Sequence, residues 1–188
     1  MQRFSYHAGV TGFLRFVGTA NAAVWFGAAV FFTLAAGPAI FSSDVQKLFG
    51  DTWFRFYAGG VALAVLKRYF ILQYVCGIIA LLHLWAEWLY LGRKASRVTL
   101  SLAVVLLALA LFGGFGLMPK MRALRQTIYG TAPVEQKEVA KRAFGAWHGI
   151  SQTANLFIII GLAVYLARVT RPPEAAGRYN SLFTKFRS

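Results

Sequence analysis

The stretch Ala143–Ala167, AFGAWHGISQTANLFIIIGLAVYLA, carries no Lys, Arg, Asp or Glu. A helix rises about 1.5 Å per residue and the hydrocarbon core of a bilayer is about 30 Å thick, so an uncharged run of this length can cross it. Residues at i, i+3, i+4 and i+7 share one helix face. His148, Ser151, Gln152 and Asn155 have that spacing, which predicts a polar stripe two turns long on an otherwise apolar helix. Polar side chains are costly against lipid unless they face a protein interior or a water-filled cavity. The stripe is therefore expected to point inward, toward other helices.

The rest of the chain has the same character. It is 58% hydrophobic and only 14% charged, against about 25% charged in soluble domains, and its mean hydropathy is +0.56. A net charge of +14 would suit nucleic acid if the basic residues formed one soluble face. They fall instead between long apolar runs, where they read as loop anchors for anionic lipid, with no nucleic-acid role. The single cysteine, Cys76, excludes an intrachain disulfide.

Three further runs predict spans at 16–41, 69–91 and 98–118, which with 143–167 make four. The first exceeds the 7–15 apolar residues of a signal peptide, so a retained span is expected. Pro38 suits its end, and Ala23 with Gly27 offer a smooth face for a neighbouring helix. Ser42–Ser43–Asp44 is an N-cap for a short surface helix, Val45 to about Phe49. Phe56–Leu66 is too short to span and is weakened by Gly59–Gly60, so a re-entrant or interfacial segment is expected there. Lys67–Arg68 would then mark the membrane boundary, since burying each charge costs roughly 3 kcal/mol. Pro119 ends the third span, whose Gly113, Gly114 and Gly116 permit close packing or a kink. A polar connection follows over 120–142, with Pro133 and a short helical pattern from Val134. The fold predicted is all-α: an integral membrane four-helix bundle forming one domain over 1–188, with a basic tail at 172–188. Both termini fall on one side. The basic turn Arg93, Lys94 and Arg97 places that side in the cytoplasm, the membrane being a bacterial inner (plasma) membrane.

Span two has its own stripe, with Gln73, Cys76, Ala80, His83 and Glu87 stepping by three and four. Spans two and four enter the membrane from the same side, so the two stripes are expected to meet. Three readings of that meeting stand: interhelical hydrogen bonding, a polar cavity or solute path, and a metal or haem site. Cys76 with His148 suits copper or zinc, and Met118 could add a second sulfur. His83 and His148 lie too far apart in depth to share one haem iron easily. No cofactor is the simplest expectation, with copper, zinc or haem as alternatives. Glu87 is expected to pair with Arg15, Arg93 or Arg97 at the interface. No nucleophile–base pair, HExxH, CxxC or phosphate loop supports an enzyme. Two classes of function remain: transport or binding of a small solute or metal, and a non-catalytic accessory subunit. In the second, aromatic outer faces would pack against membrane-protein partners or a second copy.

The pattern Phe144-x-x-x-His148-Gly149-x-Ser151-x-x-x-Asn155 resembles the last-helix signature of the transmembrane protein 205-like family, a four-helix group largely of unknown function. Trp25–Phe26–Gly27, Phe32, Phe41, Tyr69–Phe70 and Pro119 support the resemblance, which covers residues 16–168. It implies a four-helix membrane domain. The eukaryotic member's link to platinum-drug resistance implies export or trafficking. The family is also distantly similar to copper-resistance and haem-pathway membrane proteins. The long 42–68 connection and the basic tail depart from the short eukaryotic form.

Overall fold

The fold is that of a computed structural model, which describes residues 2–92 and 96–171, with side chains from Gly9 onward. Arg93, Lys94 and the basic tail at 172–188 lie outside the described residues. Helix α1 (Gln2–Phe31) passes through a π-helical turn, Phe32–Ala36, into α2 (Gly37–Ile40). The surface helix α3 (Ser43–Phe49) forms as expected, with the Ser42 hydroxyl accepting from the Val45 amide at 3.4 Å. Helix α4 (Phe54–Leu91) ends where Gly92 turns left-handed at φ 63°. Helix α5 (Arg97–Leu111) starts on a Ser96 cap and passes through a second π-helical turn, Phe112–Leu117, into α6 (Met118–Tyr129). Helix α7 (Val134–Val169) closes the described chain. The four rods Gly9–Ile40, Phe54–Leu91, Arg97–Tyr129 and Val134–Val169 are each long and apolar enough to cross a membrane. The protein is an all-α integral membrane bundle.

Both π turns are answers to proline. Pro38 and Pro119 are each the second residue of the helix that follows the turn. Proline donates no hydrogen bond and its ring collides with the carbonyl four residues back. The turn slips the ladder by one: the Gly37 amide reaches the Phe32 carbonyl and the Met118 amide the Gly113 carbonyl. Such one-turn insertions let a helix continue where a strict α ladder would break. Pro119 therefore does not end the helix of the third span, which runs on to Tyr129.

The segment 56–66, expected as a re-entrant or interfacial segment, is not a separate element. It is the opening part of α4, a helix of 38 residues and so about 57 Å long. A helix need not stop at the membrane surface, and this one needs no bilayer around its first turns. Lys67 and Arg68 are exposed, so the continuous helix does not bury them within the protein. Residues 134–142 join α7 in the same way. At this end of the bundle α3, the start of α4, α6 and the start of α7 extend beyond the uncharged runs as a helical layer.

The rods close a ring. α1 packs on α4 and α7, and α5 packs on α4 and α7, while α6 lies against α7. Chain neighbours run antiparallel, as in an up-and-down bundle. Spans two and four sit across the diagonal, not side by side. Trp25, Tyr165, Leu162 and Gln73 fill the centre, with Trp25 edge-on to Tyr165 at 6.0 Å. The close-packing face of α1 is Gly18, Ala22, Trp25 and Ala29, while Ala23 and Gly27 are exposed. The expected smooth face is thus unused within the bundle.

Of the three glycines in the third span, Gly113 and Gly114 act as expected, while Gly116 is exposed. A Cβ on Gly113 would meet the Phe70 ring at 2.6 Å, and one on Gly114 would collide with the Tyr74 hydroxyl. The bare backbone lets α4 present these rings, and Tyr74 stacks on Phe115 at 5.6 Å. Gly114→Ala is expected to lower stability by about 1–3 kcal/mol, the usual cost of overpacking. Adding Tyr74→Phe, which removes the colliding oxygen, should recover part of that loss. Thermal unfolding in detergent measures both, and a neutral Gly114→Ala would contradict this packing.

Candidate functional site

The stripe on α4 faces inward. Gln73, Cys76, Ala80 and His83 are all buried, and Glu87 is half-buried. It meets α1, however, and not the stripe of span four. The Trp25 indole donates to the Gln73 side-chain oxygen. One turn away along α1, the Asn21 amide donates to the Cys76 carbonyl at 2.9 Å. Further along, His83 Nε2 lies 2.9 Å from the Leu14 carbonyl, so that nitrogen carries the proton. Gly18 leaves room for the ring, since a Cβ there would overlap it. Partners fall in number on α1 as they rise on α4, the register of an antiparallel pair.

A second cluster draws in α7. Tyr69 donates to Asn155 Oδ1 at 3.3 Å, the Asn155 amide donates to Thr33 at 2.7 Å, and Thr33 donates to the Ala29 carbonyl at 2.8 Å. Phe32 stacks on Tyr69 at 4.5 Å beside it. Asn155 is the one residue of the predicted span-four stripe that joins this network. Ser151 is half-buried, and His148 and Gln152 are exposed. His148 stacks on Phe144 at 6.2 Å on the outside of α7. The inward placement of His148 and Gln152 is therefore corrected. α7 packs between α1 and α5, and of this stripe Asn155 reaches Tyr69 of α4 while His148 and Gln152 lie outside the ring.

Glu87 is also placed differently. Its carboxylate lies 3.8 Å from His83 Nε2, and Arg15 and Arg97 are exposed without an ion pair to it; Arg93 is outside the described residues. The metal candidates are separated, with Cys76 buried, Met118 half-buried and His148 exposed. Among the described residues no three His, Cys, Asp or Glu side chains come together. Sequence reasoning missed Trp25 and Thr33 as polar partners. The signal was present for Trp25: Asn21 and Trp25 are four apart, and a buried indole N–H needs an acceptor.

Outside the bundle an apolar groove of about 810 Å³ runs between α5 and α7, lined by Leu102, Val105 and Leu109 on one side and Gly145, Gly149 and Phe157 on the other. A Cβ at Gly145 or Gly149 would touch nothing within 4 Å.

Gln73 Nε2 is buried and unpartnered, so the Trp25–Gln73 pair stabilises mainly by satisfying the indole. Gln73→Leu should cost about 1–3 kcal/mol, because it leaves a buried donor unmade. Adding Trp25→Phe should recover part of this, since removing both partners is cheaper than removing one. A double-mutant cycle by thermal unfolding checks the coupling, and strictly additive losses would contradict it.

No curated protein and no solved structure matches the chain. Residues 21–130 match a family described as a domain of unknown function, DUF4149. The matched stretch runs from the Asn21–Trp25 face of α1 to the end of α6, and stops before the α7 motif that carries the transmembrane protein 205-like resemblance. It contains both proline-linked π turns and every α1–α4 hydrogen bond of the buried seam except that of Leu14. Covering more than half of the sequence, it shows that this membrane bundle belongs to the DUF4149 family.

Proposed function

We propose that the protein is a non-catalytic membrane subunit that binds a transmembrane helix of a partner protein along the outer face of α7, over the α5–α7 groove. The observation that carries this reading is the exposure of Gln152 within an uncharged run. Ten residues past Arg142, it lies about 15 Å into the membrane, near the middle of a core about 30 Å thick. A bare amide there is costly, and a partner helix that hydrogen-bonds it removes the cost. Gly145 and Gly149 beside it leave the backbone open to close approach, the usual geometry of helix association in lipid. His148, one turn nearer the surface, offers a second polar contact.

An interior solute path has less support. Gln73, Cys76 and His83 are closed in by α1, and His148 and Gln152 are turned away from them. Metal-related transport rests only on residue types, since Cys76 and His148 belong to different faces. The membrane itself we take as a bacterial inner membrane with cytoplasmic termini, on the strength of the basic turn between spans two and three.

Filling the groove tests the proposal. Gly149→Leu should leave the thermal stability of the purified chain within about 0.5 kcal/mol, as for substitutions clear of packed features. The same change should release a partner that otherwise co-purifies in stoichiometric amount from mild detergent. A dimer of this chain sensitive to Gly149→Leu would identify a second copy as occupant and overturn the partner-protein form. A chain that purifies alone, with or without the substitution, would overturn the docking role altogether.

A further inference from the structure

At the end where the rods leave the uncharged layer, α4 and α6 enclose a cleft of about 690 Å³. Lys67, Arg122 and Arg125 line it, together with Phe56 and Tyr129. Arg125 is laid flat across α4. A Cβ on Gly59 would come within 2.9 Å of its Nε, and one on Gly60 within 3.6 Å of a terminal nitrogen. The Gly59–Gly60 pair, which weakens the helix locally, is what gives the guanidinium its bed. One terminal nitrogen donates to the Phe56 carbonyl, and the group packs 5.2 Å from the Phe56 ring and 5.5 Å from that of Tyr129. Its Nε is buried and has no protein acceptor.

The cleft holds three cations and no anion. Among the described residues the ion pairs are Lys47–Asp44, Lys141–Glu138 and His83–Glu87, and none involves the cleft. Nε is pressed against α4 at Gly59, out of a ligand's reach, so it is the other terminal nitrogen of this fixed guanidinium that, beside a second guanidinium and an ammonium, offers donors to phosphate oxygens. Lys67 and Arg122 also stand just past the uncharged runs of their helices, at the level where phospholipid headgroups begin.

We propose that this cleft binds a phosphate group, with Arg125 as the fixed donor and Lys67 and Arg122 as its mobile partners. The site does not depend on helix docking at α7, which lies on a different face. Two sources share the chemistry: the headgroup of an anionic phospholipid, and a soluble phosphate.

The test uses the full chain, delipidated in detergent, with binding followed by native mass spectrometry and by thermal shift. Phosphatidylglycerol, phosphatidylcholine and inorganic phosphate are the probes. For a headgroup site, phosphatidylglycerol is expected to bind about thirtyfold more tightly than phosphatidylcholine, as two surface cations would give. The Lys67→Gln/Arg122→Gln pair should abolish that preference without moving the melting temperature of the lipid-free protein. For a soluble-phosphate site, inorganic phosphate should stabilise the wild type, and the same pair should remove the effect. If the double variant does not fold, Arg122→Gln alone is read the same way with a smaller loss. Lipid preference and phosphate response that are both unchanged by these substitutions would overturn the proposal.

Discussion

The hydrogen bond from the Trp25 indole to Gln73 lies at the centre of the bundle, with both side chains almost wholly buried. In a bilayer the apolar faces of helices gain little by leaving lipid for one another, so association rests on close packing and polar contacts. This bond fixes which faces of α1 and α4 meet. The Asn21–Cys76 and His83–Leu14 contacts then follow at the same register along the seam. Small residues at Gly18, Ala22 and Ala29 keep the backbones close enough for these side chains to reach. Tyr69, Thr33 and Asn155 tie the fourth span to the pair. A bundle locked this way commits its interior polar side chains to holding helices together and leaves its outer surfaces to meet other molecules.

Proline placement shapes the other major feature. By accommodating Pro38 and Pro119 in π turns, the first and third rods avoid breaking where sequence rules would stop them. The third rod then carries Arg122 and Arg125 beyond the uncharged layer as α6, opposite the first turns of α4. The cationic cleft is thus a product of a helix that did not end at its proline.

Spans, their number, the Ser42 cap, the close-packing glycines at 113 and 114, and the inward stripe of α4 were all legible, because each depends on local periodicity or a local clash. The extension of α4 through 56–66 was not. Composition sets the cost of burying Lys67 and Arg68 in lipid, but not whether a helix continues past the surface that those residues mark. The outward turn of His148 and Gln152 was also out of reach. A polar face in lipid must be covered, and sequence spacing cannot say whether its own bundle or another chain covers it. The diagonal placement of α4 and α7 decides that, and ring order among four similar helices is a property of tertiary packing. Trp25 was hidden by its apolar class, although its donor made it the key polar residue.

The stripe of α4 faces into the bundle, whereas that of α7 is divided, with Asn155 inside and His148 and Gln152 outside, where a partner covers them. Nitroxide labels placed singly at positions 73 and 152, with Cys76 replaced by Ala, address this arrangement directly through their collision rates with oxygen. Position 152 is expected to be freely accessible in the purified chain in lipid nanodiscs and shielded in native membranes, with position 73 shielded in both. A label at 152 that is as shielded in the purified chain as one at 73 would contradict this arrangement.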